Sequence, residues 1–375
     1  MAASTVPVRQ SSMRAHNLAL VLQTVANSPD RPSRAATSTA TGLTRATVSA
    51  LVDDLIAGGL LTEHEPAPRV GAGRPAAGLA LAPDGAAGLG LEINVDYLSA
   101  CVVDLTGAVR HRFVAHADQR PLAPAAALTE LGRVAGQARQ AAAANGLPLA
   151  GAALAVPGLV TADGTVRVAP NLGWQDVDAP ALLRAIPALA DLPLSVDNEA
   201  NLAALGELRA DHGGEQTFLY VSGEIGIGAG IVLDGELYRG GRGWSGEIGH
   251  VTVYPDGRPC RCGANGCLEQ YAGQEAVAAD AGLAAAALGI ALAAVVNLLD
   301  IGVIVLGGAY APELQRLRPG IEAEVHRRVL TADLAPVTLR AATLGTDAAM
   351  RGAADTVLRA VLDDPASYLN LRRAG

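Results

Sequence analysis

The sequence predicts an α/β protein: a small helical unit, then a larger body built from two similar halves. Three observations carry this. Apolar residues recur at helical spacing in three N-terminal segments, which are followed by two short strand-like runs around a Gly/Pro tip. Two later regions each read as three short strands, then helices, then a further strand. Half of the 375 residues are apolar and 17% are charged, a balance that suits packed domains rather than disorder.

Residues 1–12 read as a loose tail. From 13 to 26, Ala15, Leu18, Ala19, Leu22 and Val25 form one helical face, ended by Pro29 and Pro32. Ser33 caps a second short helix reaching Thr41, in which Thr37 and Ser38 stand where a leucine would anchor it. After a Gly42-Leu43 turn, Thr44 caps a third helix over 45–57, with Val48, Leu51, Val52 and Leu55 on its apolar face. Residues 60–63 and 79–81 read as strands flanking the tip at 71–75. Three helices, a glycine turn before the third, and a hairpin are the order of a winged helix-turn-helix, expected over 13–82. A three-helix dimerisation bundle is the plainer alternative. The hydroxylated, Arg-bearing start of the third helix favours operator DNA, with Arg34, Thr44, Arg45, Thr47 and Ser49 as candidate contacts and Arg74 at the wing tip.

Charge agrees with that division. Residues 1–75 hold seven arginines against five acids, although the whole chain is −9, so the body is strongly acidic. Phosphate would repel such a body and tolerate the N-terminal unit. The most hydrophobic run, 283–299, is broken by Gly289 and Asn297 and followed by Asp300, and it reads as a core helix. The first dozen residues lack the basic start and apolar block of a signal peptide. A cytoplasmic protein with no membrane association is expected.

In the body, 89–93, 99–104 and 109–114 form a meander, followed by an Ala-rich helix and a strand at 151–156. Segments 217–222, 228–233 and 236–238, then helices and a strand at 303–306, repeat the scheme. Two such halves predict an actin-like, two-lobed fold with a ligand cleft between lobes, expected over 88–375 and divided at 198/199.

Residues 246–269 run Gly-Glu-Ile-Gly-His, then nine residues, then Cys-Arg-Cys-Gly-Ala-Asn-Gly-Cys-Leu-Glu. His250, Cys260, Cys262 and Cys267 supply the four soft ligands of a closed, tetrahedral structural Zn²⁺. With every position filled by protein, no site is left for a catalytic water. The remaining Cys101 sits in an apolar strand pattern and reads as a small buried hydrophobe.

That segment closely resembles the ROK family (repressors, open reading frames, kinases). So do Ala155-Val156-Pro157-Gly158, Ala169-Pro170-Asn171-Leu172-Gly173-Trp174 and Asp197-Asn198-Glu199-Ala200-Asn201. The likeness runs from about residue 13 to 360 and is strongest to the xylose-repressor-like branch. It implies a sugar site in which Asn198, Glu199, Glu247, His250 and Glu269 bond hydroxyls, with Pro157, Gly158 and Asn171 shaping the opposite wall. It also implies a homodimer or tetramer.

Family kinases carry Asp-x-Gly-Gly-Thr in the first hairpin, where this chain has Glu92-Ile93-Asn94-Val95-Asp96. Both glycines are gone, the second phosphate loop gains Glu224, and Glu199 stands where the kinases have an Asp base. The expectation is a repressor that reads a palindromic operator and is released by an unphosphorylated sugar. An ATP-dependent sugar kinase with an appended DNA-binding domain is the alternative, and a regulator answering to a protein partner is a third. Between Tyr271 and Leu288 the chain is shorter than the family, which leaves the helical layer of the second lobe open.

Overall fold

A computed structural model describes residues 10–64, 77–210, 214–223 and 225–374. The chain opens with α1 (Gln10–Ala26), α2 (Arg34–Thr41) and α3 (Arg45–Ala57), then an antiparallel pair, β1 (Leu61–His64) and β2 (Gly78–Leu81). Side-chain caps set the boundaries. Ser33 Oγ accepts from the Ala36 N–H, and Gly42 ends α2 in the left-handed region. Thr44 accepts from the Thr47 N–H at the start of α3. Thr37 is fully buried in place of the missing leucine. Its hydroxyl donates to the Ser33 carbonyl at 3.0 Å, so the polar atom is satisfied and the methyl can pack. The tip at 71–75, including Arg74, lies outside the described residues.

In the body, β3 (Ala87–Ile93), β4 (Tyr97–Asp104) and β5 (Val109–His116) form the meander. Helix α4 (Pro124–Ala144) crosses to β6 (Leu149–Val156), parallel to β3. A small antiparallel sheet follows: β7 (Leu159–Val160), β8 (Thr165–Ala169) and β9 (Trp174–Asp178). Next come α5 (Ala179–Arg184) and β10 (Leu194–Asn198), and α6 (Glu199–Ala210) starts directly where that strand ends.

The second half runs β11 (Phe218–Gly223), β12 (Ile227–Leu233) and β13 (Glu236–Leu237), then a long loop. Helices α7 (Glu269–Ala272), α8 (Gln274–Ala279) and α9 (Ala281–Leu299) lead to β14 (Val303–Gly308). Then α10 (Tyr310–Arg328), β15 (Thr338–Ala341), α11 (Ala348–Asp363) and α12 (Pro365–Ala374) follow. The two large sheets run β10-β6-β3-β4-β5 and β15-β14-β11-β12-β13, the same topology twice. By length and composition α9 could cross a membrane, yet Leu288, Leu292 and Val296 are buried in the core of the second lobe.

Chain order puts everything after 198 in the second lobe, and here the structure differs. Helix α11 lies on β3, β4 and β6 of the first sheet and beside α6, and α12 packs on α1. The cause is close approach: a Cβ on Gly90 would stand 1.8 Å from the Met350 carbonyl oxygen. Only a strand without side chains there admits the helix backbone. As a result Leu22, Val52 and Leu55 of the N-terminal unit share one apolar core with Val103, Leu358 and Leu369. Cys101 is fully buried against α11, its thiol 3.4 Å from the Met350 carbonyl.

Asp355 on α11 is also buried, with its Oδ1 3.3 Å from Arg209 Nε. Burial pushes its carboxyl up to about 6, against the pull of Arg209 and Arg351. The folded chain therefore holds a proton that an unfolded aspartate, near pKa 3.9, has released. Stability from this group falls as pH rises from about 4 to about 6, by about 3 kcal/mol in all. Denaturant titrations at pH 5 and 7.5 span about half of that range, so on going to the higher pH wild type should lose about 1.4 kcal/mol more than Asp355→Asn. Equal losses in the two chains would refute the assignment.

Candidate functional site

The four candidate metal ligands come together in the loop between β13 and α7. A tight turn brings the Cys260 N–H to the Ala264 carbonyl at 2.8 Å and the Gly263 N–H to the Cys260 carbonyl at 3.0 Å. A second tie joins the Leu268 N–H to the Val251 carbonyl at 2.9 Å. Ligand atoms of His250, Cys260, Cys262 and Cys267 all lie within 4.8 Å of one another. The Cys262 and Cys267 sulfurs are 3.6 Å apart, and Cys260 Sγ is 3.9 Å from His250 Nδ1. A tetrahedral zinc with Zn–S near 2.3 Å sets its sulfurs about 3.8 Å apart. The cluster therefore fits a metal ion of that size, and His250 offers it Nδ1, leaving Nε2 on the other side of the ring.

The thiols differ in their ease of ionisation. The Ala264 N–H and Cys260 pull the Cys262 thiol below its ordinary value, and burial pushes Cys267 up to about 12. Gly246, at φ +100°, lets the loop lie on β12, because a Cβ there would meet the Ala229 carbonyl oxygen at 1.9 Å.

Glu247 leads into the 3₁₀ turn Ile248–His250, and its carbonyl accepts the His250 N–H at 3.1 Å. The residue as a whole is exposed, but protein atoms crowd the carboxyl. Desolvation raises its pKa, Glu269 raises it further, and His250 pulls it back. Glu247 thus sits in the fields of both His250 and Glu269. Glu269 opens α7 two positions after Cys267, so the knot sets its position. Its Oε2 and Asn171 Nδ2 stand 3.2 and 3.0 Å from where a Gly226 Cβ would be. The first lobe's small sheet and the second lobe's knot therefore meet at that glycine.

Asn198 is largely occupied by the protein. Its Oδ1 accepts from the Ala200 and Asn201 N–H groups, capping α6, and its Nδ2 donates to the Gly158 carbonyl at 2.9 Å. What it can offer a ligand is its second amide N–H. Gly158, at φ +109°, and Pro157 follow β6 and are half-buried at the cleft wall.

Glu199 lines a pocket of about 20 Å³ with Glu92, Asn94, Tyr220, Ser222, Gly308 and Thr346. Glu92 is buried and accepts from Tyr97 Oη at 2.6 Å and Ser99 Oγ at 3.4 Å. The Val95 N–H donates to Asn94 Oδ1 at 2.6 Å. Asp96 is exposed, and Glu224 lies outside the described residues.

On the N-terminal unit, Arg45 is exposed beside Ala46 and Ala50. Thr47 Oγ1 lies 2.9 Å from the capping Thr44 Oγ1, so both hydroxyls are engaged within the turn. Arg34, expected at the nucleic acid, is instead held by the protein. It pairs with both Glu63 oxygens at 3.1 Å and with Asp53 at 2.7 Å, and it also donates to the Ser49 carbonyl. The carboxylates surrounding it, with Glu63 the largest influence, raise its pKa further. Arg34 thus braces α3 against β1.

Sequence reasoning missed two contacts that hold the site. Arg239 pairs with Asp197 at 2.6 Å, tying the end of β10 to the loop before the knot. Glu207, with a fully buried side chain on α6, accepts from the Thr343 and Leu344 N–H groups at 2.9 and 2.7 Å and sits 3.5 Å from Arg340. Its only sequence signal is a carboxylate among apolar residues eight positions after Glu199. Glu207→Ala would strand two buried N–H groups and take one partner from Arg340, so urea unfolding should show a loss of about 3 kcal/mol. A loss below a few tenths would mean the carboxylate contributes nothing.

The ROK family model matches residues 88–285 and 279–360, two stretches that meet within the short span between Tyr271 and Leu288. The xylose repressor of Caldicellulosiruptor bescii is 34% identical over 267 residues, which is 70% of this chain and 64% of that protein. The chain thus spans less than two thirds of this curated relative. A solved ROK family transcriptional regulator, named as a homologue of the E. coli MLC protein, superposes with a TM-score of 0.79 at 23% identity. That match covers 96% of this chain and 99% of the other. A ROK family glucokinase from Streptomyces griseus, solved with glucose and AMPPNP, matches with a TM-score of 0.62 at 25% identity, over 72% and 98% of the two chains. With its two like-ordered sheets, its His/Cys₃ knot and a family model matched over most of the body, this chain belongs to the ROK family.

Proposed function

We propose that this chain is a transcriptional repressor. In this reading its N-terminal unit is a winged helix-turn-helix over 13–82, its body binds an unphosphorylated sugar, and its knot carries one structural Zn²⁺. The observation that carries this is the single core joining α1 and α3 to α11 and α12. A sugar cleft whose α6 begins at Glu199 and packs on α11 is thereby in mechanical contact with the DNA-reading unit. Closing the lobes on a sugar would shift α6 and α11, and with them the spacing of two units on a palindromic operator. A ligand moves that equilibrium only by its difference in affinity for the two arrangements. Relatives named xylose repressor support the same assignment.

The zinc would be bound by the three thiolates and His250 Nδ1. Bound there, it supplies rigidity and charge neutralisation rather than a reactive water. The chain's own residues act on the sugar: Glu247 and Glu269 accept from hydroxyls, and His250 Nε2 and Asn198 Nδ2 take the remaining partners. Asn171 and the Pro157-Gly158 turn close the wall.

The glucokinase match raises the kinase alternative, and the first hairpin argues against it. There the Val95 N–H is already taken by Asn94, and Glu92 and Glu199 line the pocket beside that hairpin. Two carboxylates in that pocket would also repel phosphate.

The test of the DNA assignment is Arg45→Ala, compared with wild type by footprinting on operator DNA selected from a random pool. Loss of one base-edge contact should weaken binding by 1–3 kcal/mol, roughly tenfold or more, with sugar binding unchanged. An identical footprint and affinity would remove α3 from the DNA.

A further inference from the structure

We propose that Cys262 is a site of oxidation by peroxides, and that the reaction links it to Cys267 and opens the knot. The proposal rests on the zinc reading of that cluster and adds a class of reagent that acts on it. The three cysteines of the knot are unequal. Cys262 is exposed, whereas Cys260 and Cys267 are buried, Cys267 fully. The turn that carries Cys262 faces open space, since a Cβ added at Gly263 would meet no atom within 4 Å. The arm that carries Cys267 is held. A Cβ at Gly266 would stand 1.6 Å from the Tyr254 carbonyl oxygen, and the Gly266 carbonyl accepts the Val253 N–H at 2.8 Å. A small oxidant therefore reaches one sulfur of the knot, beside a second that sits on a fixed arm.

Distance selects the partner. The Cys262 and Cys267 sulfurs are 3.6 Å apart, and a disulfide of about 2.05 Å needs them to close by about 1.5 Å. Cys260 is engaged elsewhere: its sulfur accepts from Gln270 Nε2 at 3.7 Å and lies 3.9 Å from His250 Nδ1. Cys101 is fully buried against α11, away from any oxidant. In the first step the Cys262 thiolate attacks one peroxide oxygen. The S–O bond forms as the O–O bond breaks, which leaves a sulfenic acid and hydroxide. In the second step the Cys267 thiolate attacks the Cys262 sulfur, the S–S bond forms and a second hydroxide leaves. Two thiolates together give up two electrons, and the peroxide takes them. Only His250 and Cys260 then remain as ligands, too few for a closed tetrahedral site, so zinc is released. Because Cys267 stands two positions before Glu269, oxidation at the exposed edge of the knot is carried to the cleft.

The test treats the zinc-loaded full chain with hydrogen peroxide and follows free zinc with a chromogenic chelator. The remaining thiols are then blocked and mapped by mass spectrometry after trypsin. Cleavage after Arg261 parts Cys260 from Cys262 and leaves Cys262 and Cys267 in one fragment. Zinc should fall from one ion per chain to none, and the fragment beginning at Cys262 should carry no blocking group and be lighter by two hydrogens. Dithiothreitol with added zinc should reverse both changes. Cys101→Ser should respond as wild type does. Cys262→His, which keeps a set of four ligands, should hold its zinc under the same treatment. If that variant binds no metal, the fragment mass in wild type still decides. Zinc that stays bound, a link to Cys260, or a fragment with both thiols blocked would overturn the proposal. A wild-type chain without zinc before any treatment would refute the zinc reading itself, and this proposal with it, so the two failures are told apart.

Discussion

Cys267→Ser is expected to take the bound metal from one ion per chain to none and to disorder the loop from 250 to 268, as read by metal analysis and proteolysis. Three thiolates and an imidazole hold a structural zinc with an apparent binding free energy of roughly 10–16 kcal/mol in small zinc-dependent folds. Even a third of that matches or exceeds the loss of about 3 kcal/mol expected for Glu207→Ala. Cys267 is the sharpest place to remove it, because it is fully buried and stands two positions before Glu269. Without the ion its thiol sits in apolar surroundings that push its pKa up to about 12, so it would remain a neutral, weakly bonded group. The body should stay folded, since the first lobe's core uses no residue of this loop and the second lobe's core takes only Val253 and Leu268 from it, with Tyr254 packed alongside. Sugar affinity should nonetheless drop at least a hundredfold as Glu269 loses its anchorage. A variant that keeps one zinc per chain, or binds sugar as wild type does, would show that the knot is not a metal site or does not aim the cleft.

Glu269→Ala is expected to weaken sugar binding about a hundredfold while the zinc stays in place. A carboxylate accepting from two hydroxyls makes two charge-assisted bonds, each worth about 1.5–3 kcal/mol, and alanine returns neither. Asn171, which comes close to Glu269 beside Gly226, would be left facing an unsatisfied hydroxyl. Calorimetric titration over a panel of pentoses and hexoses, with and without ATP and Mg²⁺, measures both this loss and the kinase question. The expected result is an affinity that ignores ATP and a panel that yields no phosphorylated sugar. Tighter binding with ATP, or any phosphosugar, would make the chain a kinase, and an unchanged affinity in the variant would take Glu269 out of the site.

Much of this protein is determined by local chemistry and is therefore readable from its sequence. Ser33, Gly42 and Thr44 mark helix ends because a hydroxyl or a missing Cβ acts within three or four residues of itself. The two meanders are legible through alternation and turn residues, and the His/Cys₃ knot through ligands close enough in sequence to reach one ion. What needed the tertiary structure is whatever depends on residues far apart in the chain. The side chain of Arg34 looks like a DNA contact until Glu63 and Asp53 are seen to surround it. Nothing near Asp197 announces Arg239, forty-two positions away, and nothing near Glu207 announces the N–H groups of Thr343 and Leu344. Chain order assigned α11 and α12 to the second lobe. Gly90 on β3 and Leu369 on α12 fit against partners from the opposite end of the sequence, and that packing joins the N-terminal unit to the body. Spacing along a chain reports only neighbours, whereas close packing and buried charge are settled by which surfaces meet when the chain folds.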